Sequence, residues 1–151
     1  GRKVKGLREI NGKIYYFSDG PESRYGHYYD QVRGLLVNPY NENYYNSTSK
    51  AAPTYFFDAE TGAALTNQFF NWEGDWYYFG PDGKALIFDQ VINGQHLYFR
   101  NNGKQVKGQF ISDYKGTRYY DENSGELVTN QTRTINGVTY LFDENGRPTQ
   151  L

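Results

Sequence analysis

Gly74-Asp75-Trp76-Tyr77-Tyr78-Phe79-Gly80-Pro81-Asp82-Gly83-Lys84 decides the fold. A glycine opens the stretch, aromatic residues follow at once, and an Asp-Gly pair closes it. Trp, Tyr and Phe favour strands because flat rings suit a pleated, half-buried surface. Asp-Gly suits a tight turn, since both residues tolerate the positive φ that hairpin turns need. The stretch therefore reads as an aromatic strand running into a turn.

The same grammar recurs on both sides of it. Turn glycines fall at Gly62, Gly83, Gly103, Gly125 and Gly146, spaced by 21, 20, 22 and 21 residues. Before each stands an aromatic-rich triplet: Tyr55-Phe56-Phe57, Tyr77-Tyr78-Phe79, Leu97-Tyr98-Phe99, Arg118-Tyr119-Tyr120 and Tyr140-Leu141-Phe142. A further glycine precedes four of the triplets, at Gly74, Gly94, Gly116 and Gly137. Each unit reads as a glycine, an aromatic strand, a turn glycine and a second short strand. Asn11-Gly12, Asn93-Gly94, Asn102-Gly103, Asn136-Gly137 and Asn145-Gly146 add further hairpin signals.

The N-terminal third follows the pattern less regularly. Gly12, Tyr15-Tyr16-Phe17 and Gly20 make one unit, and Tyr28 to Val37 aligns residue by residue with Tyr119 to Val128. That makes about seven hairpin units over residues 1–151, taken as one domain. Pro39 to Pro53, rich in Asn, Ser and Tyr, reads as an insertion or long loop. One hairpin is marginal alone in water, but stacked units bury one another's rings. The expected fold is all-β, an elongated β-solenoid of stacked hairpin repeats of about 21 residues each. With 17 glycines and no sustained helical apolar stripe, helix is disfavoured.

Composition bounds the function. Hydrophobic residues are 37% of the 151, and aromatics alone are 19%, so a core of rings distributed along the chain is expected. Sixteen Lys and Arg against 17 Asp and Glu leave no strong positive field, which argues against nucleic acid and for an uncharged partner. No cysteine is present, which excludes disulfides and thiol chemistry. No apolar run approaches the roughly 18 residues that span a bilayer. The opening Gly1-Arg2-Lys3-Val4-Lys5-Gly6 reads as the tail of a repeat, so the sequence is expected to be cut from a longer chain.

Gly74 to Phe79, then Asp82-Gly83-Lys84, then Gln105-Val106-Lys107-Gly108, resemble the cell-wall/glucan-binding repeats. These occur in the glucan-binding domain (domain V) of bacterial family 70 glucansucrases and branching sucrases. The resemblance covers essentially the whole chain outside Pro39 to Pro53. It implies a secreted or cell-surface, non-catalytic module. Its partners would be an α-glucan polymer or oligosaccharide of the dextran type and the parent enzyme's catalytic domain, without nucleic acid or membrane. Choline-binding repeats are more distant relatives. They cage a quaternary ammonium with recurrent Trp, whereas here the chain holds only Trp72 and Trp76. A choline or cell-wall-binding module and a purely structural spacer are the alternatives.

The resemblance also implies where sugar binds: between hairpins, on a stacking Tyr and a Gln-x-Lys pair. Gln105 and Lys107 make such a pair, followed by Tyr119 and Tyr120, with Thr129 as a further lining residue. Residues two apart on a strand share a face, and Gln and Lys together offer an acceptor and several donors. Tyr119 and Tyr120 must face opposite ways, so only one is expected to stack. A second pocket is expected at Lys3 and Lys5 with Tyr28 and Tyr29, or Tyr25 as the ring, with Lys3 replacing the Gln. Ala64-Leu65-Thr66 and Leu86-Ile87-Phe88 lack the polar pair and read as structural. Trp72 and Trp76 read as packing first, and Tyr40, Tyr44 and Tyr45 as cover for hairpin edges. His27 and His96 stand in different units without a supporting motif. Asp30, Asp58, Asp121 and Asp143 each follow aromatics at a turn entrance, where they are expected to accept backbone hydrogen bonds. No catalytic set, metal-ligand spacing or cofactor motif emerges.

Overall fold

Asn and Gly reach positive φ at little cost, and this sets where the hairpins close. In the computed structural model, which describes residues 6–18, 30–39 and 54–151, the described residues form fourteen strands and no helix. Asn11-Gly12, Glu73-Gly74, Asn93-Gly94 and Asn136-Gly137 are two-residue turns with positive φ at both positions. Each lies between the closest-paired residues of a five-pair antiparallel ladder.

The chain divides into two compact units. One comprises Gly1–Leu86 with Asn101–Gly103, the other Ile87–Arg100 with Lys104–Leu151. The first holds β1 (Gly6–Ile10), β2 (Lys13–Ser18), β3 (Asp30–Gln31), β4 (Leu35–Val37), β5 (Tyr55–Phe57), β6 (Gln68–Trp72) and β7 (Asp75–Phe79). They form the sheets β1-β2-β3, β4-β5 and β6-β7. The second holds β8 (Phe88–Ile92), β9 (Gln95–Phe99), β10 (Gln109–Asp113), β11 (Gly116–Tyr120), β12 (Gln131–Ile135), β13 (Val138–Phe142) and β14 (Pro148–Gln150). These pair as β8-β9, β10-β11 and β12-β13-β14.

The all-β hairpin architecture agrees with the sequence, but the unit is offset from the expected one. The long ladders turn on or just before the first glycine of each unit, so the aromatic triplets are the second strands of their hairpins. The expected strand after the turn glycine shrinks to single bridges, Phe57 to Ala64, Phe79 to Ala85, Phe99 to Gln105 and Tyr120 to Leu127. Only β14 is longer. Hydrogen bonding explains the change. Leu65, Leu86 and Val128 donate their N–H to their own hairpin, at Phe56, Tyr78 and Tyr119. Their predecessors Ala64, Ala85 and Leu127 donate instead to an earlier segment, at Ile14, Thr54 and His96. A segment that alternates between two hairpins cannot extend a ladder with either.

Strand alternation then builds the core. The last residue of each aromatic triplet, Phe57, Phe79, Phe99, Tyr120 or Phe142, is at most 1% exposed. Burying such a ring contributes up to about 3 kcal/mol. Two residues earlier, on the same face, stand Tyr55, Tyr77, Leu97, Arg118 and Tyr140. Tyr55 stacks on Phe57 at 5.8 Å, and Tyr77 on Phe79 at 6.2 Å. The next turn sits directly on this ring layer: a Cβ at Gly103 would lie 3.1 Å from the Tyr77 ring and 3.0 Å from Ala85. Only glycine fits there without displacement.

Candidate functional site

The Gln105–Lys107 pair is built from the turn it rests on. Asp121 follows the buried Tyr120, and its Oδ1 accepts the N–H groups of Asn123 (2.7 Å) and Ser124 (2.8 Å). Its Oδ2 accepts Arg133 Nη1 at 2.7 Å. The Ser124 N–H, then the Arg133 guanidinium, hold the Asp121 carboxyl far below the usual carboxylate range. Asp58 and Asp143 cap their turns in the same way, as expected from the sequence. This winding turns the carbonyls of Asn123 and Ser124 outward. Lys107 Nζ donates to Asn123 O at 3.0 Å and Gln105 Nε2 approaches Ser124 O at 3.4 Å. Gly125, at φ +76°, leaves room for both: an added Cβ would overlap the Gln105 amide nitrogen and lie 3.3 Å from Lys107 Cγ.

The structure thus brings Gln105 and Lys107 together, although only Gln105 takes part in a bridge and neither belongs to a strand. Tyr119 and Tyr120 do face opposite ways. Tyr120 packs with Val106 and Ile111, Tyr119 with Val128 and Phe142. Both rings are buried, so neither presents an open face. Thr129 is half-buried, and its carbonyl accepts Gln131 Nε2 at 3.1 Å. Lys3, Lys5, Tyr25, Tyr28 and Tyr29 lie outside the described residues, as do Tyr40, Tyr44 and Tyr45. Trp72 packs against Phe56 at 5.1 Å, while Trp76 is partly exposed. Among the described residues no group of three His, Asp or Glu side chains is placed to hold a metal.

A second copy of the arrangement escaped the sequence reading. Gln31-Val32-Arg33-Gly34 holds the same register as Gln105-Val106-Lys107-Gly108. Val32 N donates to Tyr16 O as Val106 N does to Tyr98 O, and Gly34 N to Phe57 O as Gly108 N does to Tyr120 O. Arg33 Nη1 donates to Glu60 O at 2.6 Å, and its Nε and Nη2 donate to Gln31 Oε1. A Cβ on Gly62 would meet Gln31 Nε2 at 2.6 Å, as one on Gly125 would meet Gln105. This register replaces the alignment of Tyr28–Val37 with Tyr119–Val128. Both alignments join aromatic residues to a glycine, and only the backbone hydrogen bonds choose between them. The spelling Gln-Val-basic-Gly at both places was the available signal.

Comparison with known proteins places this geometry in a class. Residues 90–131 match the family described as choline-binding repeat, and residues 67–85 match putative cell wall binding repeat. Choline-binding protein F of Streptococcus pneumoniae shares the fold, with a TM-score of 0.67 and 22% identity over 97% of this chain and 45% of that one. The chain is 45% identical over 148 residues to glucosyltransferase-I of Streptococcus downei. It is 35% identical over 148 residues to glucosyltransferase-S of Streptococcus mutans. Each alignment covers 97% of this chain but only 8% and 9% of those relatives. The chain is a repeat segment homologous to part of the streptococcal glucosyltransferases, and it resembles the glucan-binding repeats of bacterial glucansucrases.

Proposed function

We propose that this chain is a non-catalytic carbohydrate-binding segment that holds a secreted or cell-surface glucosyltransferase on its α-glucan product, of the dextran type. The observation that carries the reading is the doubled polar pair: Gln105 with Lys107, and Gln31 with Arg33, each laid over an Asp-initiated turn. The glucosyltransferase relatives support it. Each pair sets an amide beside a cationic donor, which suits neighbouring sugar hydroxyls. Tyr119, Tyr120 and Thr129 complete the site in this reading, the two buried rings as support rather than as stacking faces. The repeats continue as a β-solenoid of stacked hairpins forming one domain. A single pocket binds weakly, because each solvated hydrogen bond contributes little net. Several pockets on one polymer raise the effective concentration and with it the retention.

The test is electrophoresis through a gel containing dextran. The chain is expected to run slower with dextran than without, and Gln105→Ala and Lys107→Ala to run faster than the parent while melting normally. Equal mobility with and without dextran overturns the reading. The match to choline-binding repeats makes choline the competing ligand. Elution from a choline resin by millimolar choline, with no retardation by dextran, would establish that alternative.

A further inference from the structure

Strand positions that are aromatic or apolar in most of the other hairpins turn ionic in β8 and β11. Asp89 pairs with Tyr98, where Phe69 pairs with Tyr78 and Phe110 with Tyr119. Arg118 stands where the other hairpins place Tyr55, Tyr77, Leu97 and Tyr140. The tip of this hairpin is Tyr114-Lys115, in place of the two-residue turns with positive φ. One residue before Asp89, Phe88 holds φ +62°, a strained conformation for a bulky side chain.

These departures converge. The Arg118 side chain is 6% exposed, yet it is fully partnered. Its Nη1 donates to Asp113 Oδ1 and to Gly116 O, each at 2.8 Å, and its Nη2 donates to Asp113 Oδ2 at 3.1 Å. Nη2 also reaches Asp89 Oδ1 at 3.5 Å, and Nε donates to the Tyr120 hydroxyl at 3.1 Å. Lys115 Nζ donates to Asp89 Oδ2 at 3.2 Å. The cluster opens onto a cavity of about 380 Å³, with Leu97 and Leu127 as apolar wall and Asp89, Lys115, Asn145 and Arg147 as polar lining. Desolvating a guanidinium is costly, and an apolar residue of similar volume at such a position is often neutral or stabilising. Stability does not account for the exchange, and sites that break the local rule of a fold are where function is expected.

We infer that this cavity is a carbohydrate subsite of its own, separate from the Gln105–Lys107 pair, and that it takes one neutral pyranose unit. The paired donors and acceptors select that ligand class. Asp113 neutralises Arg118 and Asp89 neutralises Lys115, while Arg147, the third cation, donates Nη2 to Lys115 O at 3.3 Å, so the two matched pairs stand beside a single net positive charge. Vicinal hydroxyls match an acceptor carboxylate flanked by donors, and the Leu97–Leu127 wall receives the apolar face of the ring. Arg118 already lies over the neighbouring Tyr98 ring, 5.9 Å from its centroid, which leaves that ring no place for a quaternary ammonium.

The inference rests on the proposed glucan-binding function, and one experiment separates the two. The chain, its Gln105→Ala/Lys107→Ala variant, and Asp89→Asn, Asn145→Ala and Arg147→Ala are compared in dextran gels. All are checked by circular dichroism, and the exposed Asn145 and Arg147 keep the test valid if Asp89→Asn does not fold. The Gln105→Ala/Lys107→Ala variant is expected to keep part of its retardation. The cavity variants are expected to lose about fivefold in affinity, as for one net hydrogen bond. In the Gln105→Ala/Lys107→Ala background, isomaltotriose is expected to shift the His96 ring resonances, since that ring also lines the cavity. Retardation of the parent with no change in Asn145→Ala and Arg147→Ala and no His96 shift overturns the subsite and leaves the glucan function intact. No retardation of the parent overturns the function itself, and the subsite with it. Tighter retention on dextran sulfate than on dextran, lost in Arg147→Ala, overturns the neutral ligand.

Discussion

Replacing Gly125 by alanine separates backbone strain from damage to the polar pair. Gly125 holds φ +76°, and the added methyl would overlap the Gln105 amide and press on Lys107 Cγ. Gly137 is the control: its φ is +81°, and an added Cβ meets nothing within 4 Å. A left-handed conformation costs a non-glycine residue about 1–2 kcal/mol, and both variants bear it. At about 2–4 °C per kcal/mol for a chain of this size, each is expected to melt about 2–8 °C below the parent. Their binding should then diverge. In Gly125→Ala the Gln105 amide must swing away from Ser124, forfeiting about one net hydrogen bond, so the affinity read from dextran gels falls about fivefold. In Gly137→Ala it stays at the parent value. Melting scanned by circular dichroism and retardation measured across a dextran series provide the two readings. If Gly125→Ala and Gly137→Ala lose melting temperature equally and both bind like the parent, the Gln105–Lys107 pair is not a sugar contact.

Gly62→Ala should repeat the Gly125→Ala pattern, weakening dextran retention through Gln31, and unaltered retention would confine binding to the second unit. Phe142→Ala removes a fully buried ring and is expected to destabilise by about 3–5 kcal/mol, read as a loss in denaturant midpoint. A loss under 1 kcal/mol would show that the ring layer does not hold that unit together. Acid should weaken the fold over a defined range. The Arg118 hydrogen bonds hold Asp113 down to about 2 in the folded chain, against about 3.9 when unfolded. A lowered folded value gives stability that is present above the unfolded value and is lost as pH falls toward the folded one. Melting temperature should hold between about pH 8 and 5 and drop from about pH 4 to 2. Asp113→Asn should show a shallower drop, and an unchanged profile in that variant would remove Asp113 from the explanation.

The sequence was legible where ring spacing and turn chemistry act locally. All five aromatic triplets are strands, and Asn11-Gly12, Asn93-Gly94 and Asn136-Gly137 close hairpins. Expectation parted from structure where one segment serves two neighbours. The residues after each turn glycine look like strand, yet their N–H groups alternate between hairpins, and that choice leaves no mark in residue type. The same ambiguity hid Gln31 and Arg33, since Tyr28 to Val37 fits two registers equally well by composition. Arg118 carried a visible signal, a charge inside an aromatic triplet. Its partners Asp89 and Asp113 lie 29 and 5 residues away, in other strands, where spacing alone does not join them.

Each long ladder is complete within one hairpin, and the short segments between hairpins reach earlier ones through single backbone hydrogen bonds. A duplicated or deleted unit therefore leaves every other register as it was. Such a segment tolerates change in copy number: adding about 21 residues inserts a ready-made hairpin, and spacings of 20 to 22 residues between turn glycines show that a residue or two is absorbed outside the alternating N–H donors. Lineages carrying these repeats are free to tune the length of the segment, and so the number of its contacts with a long ligand, by unequal exchange between near-identical units.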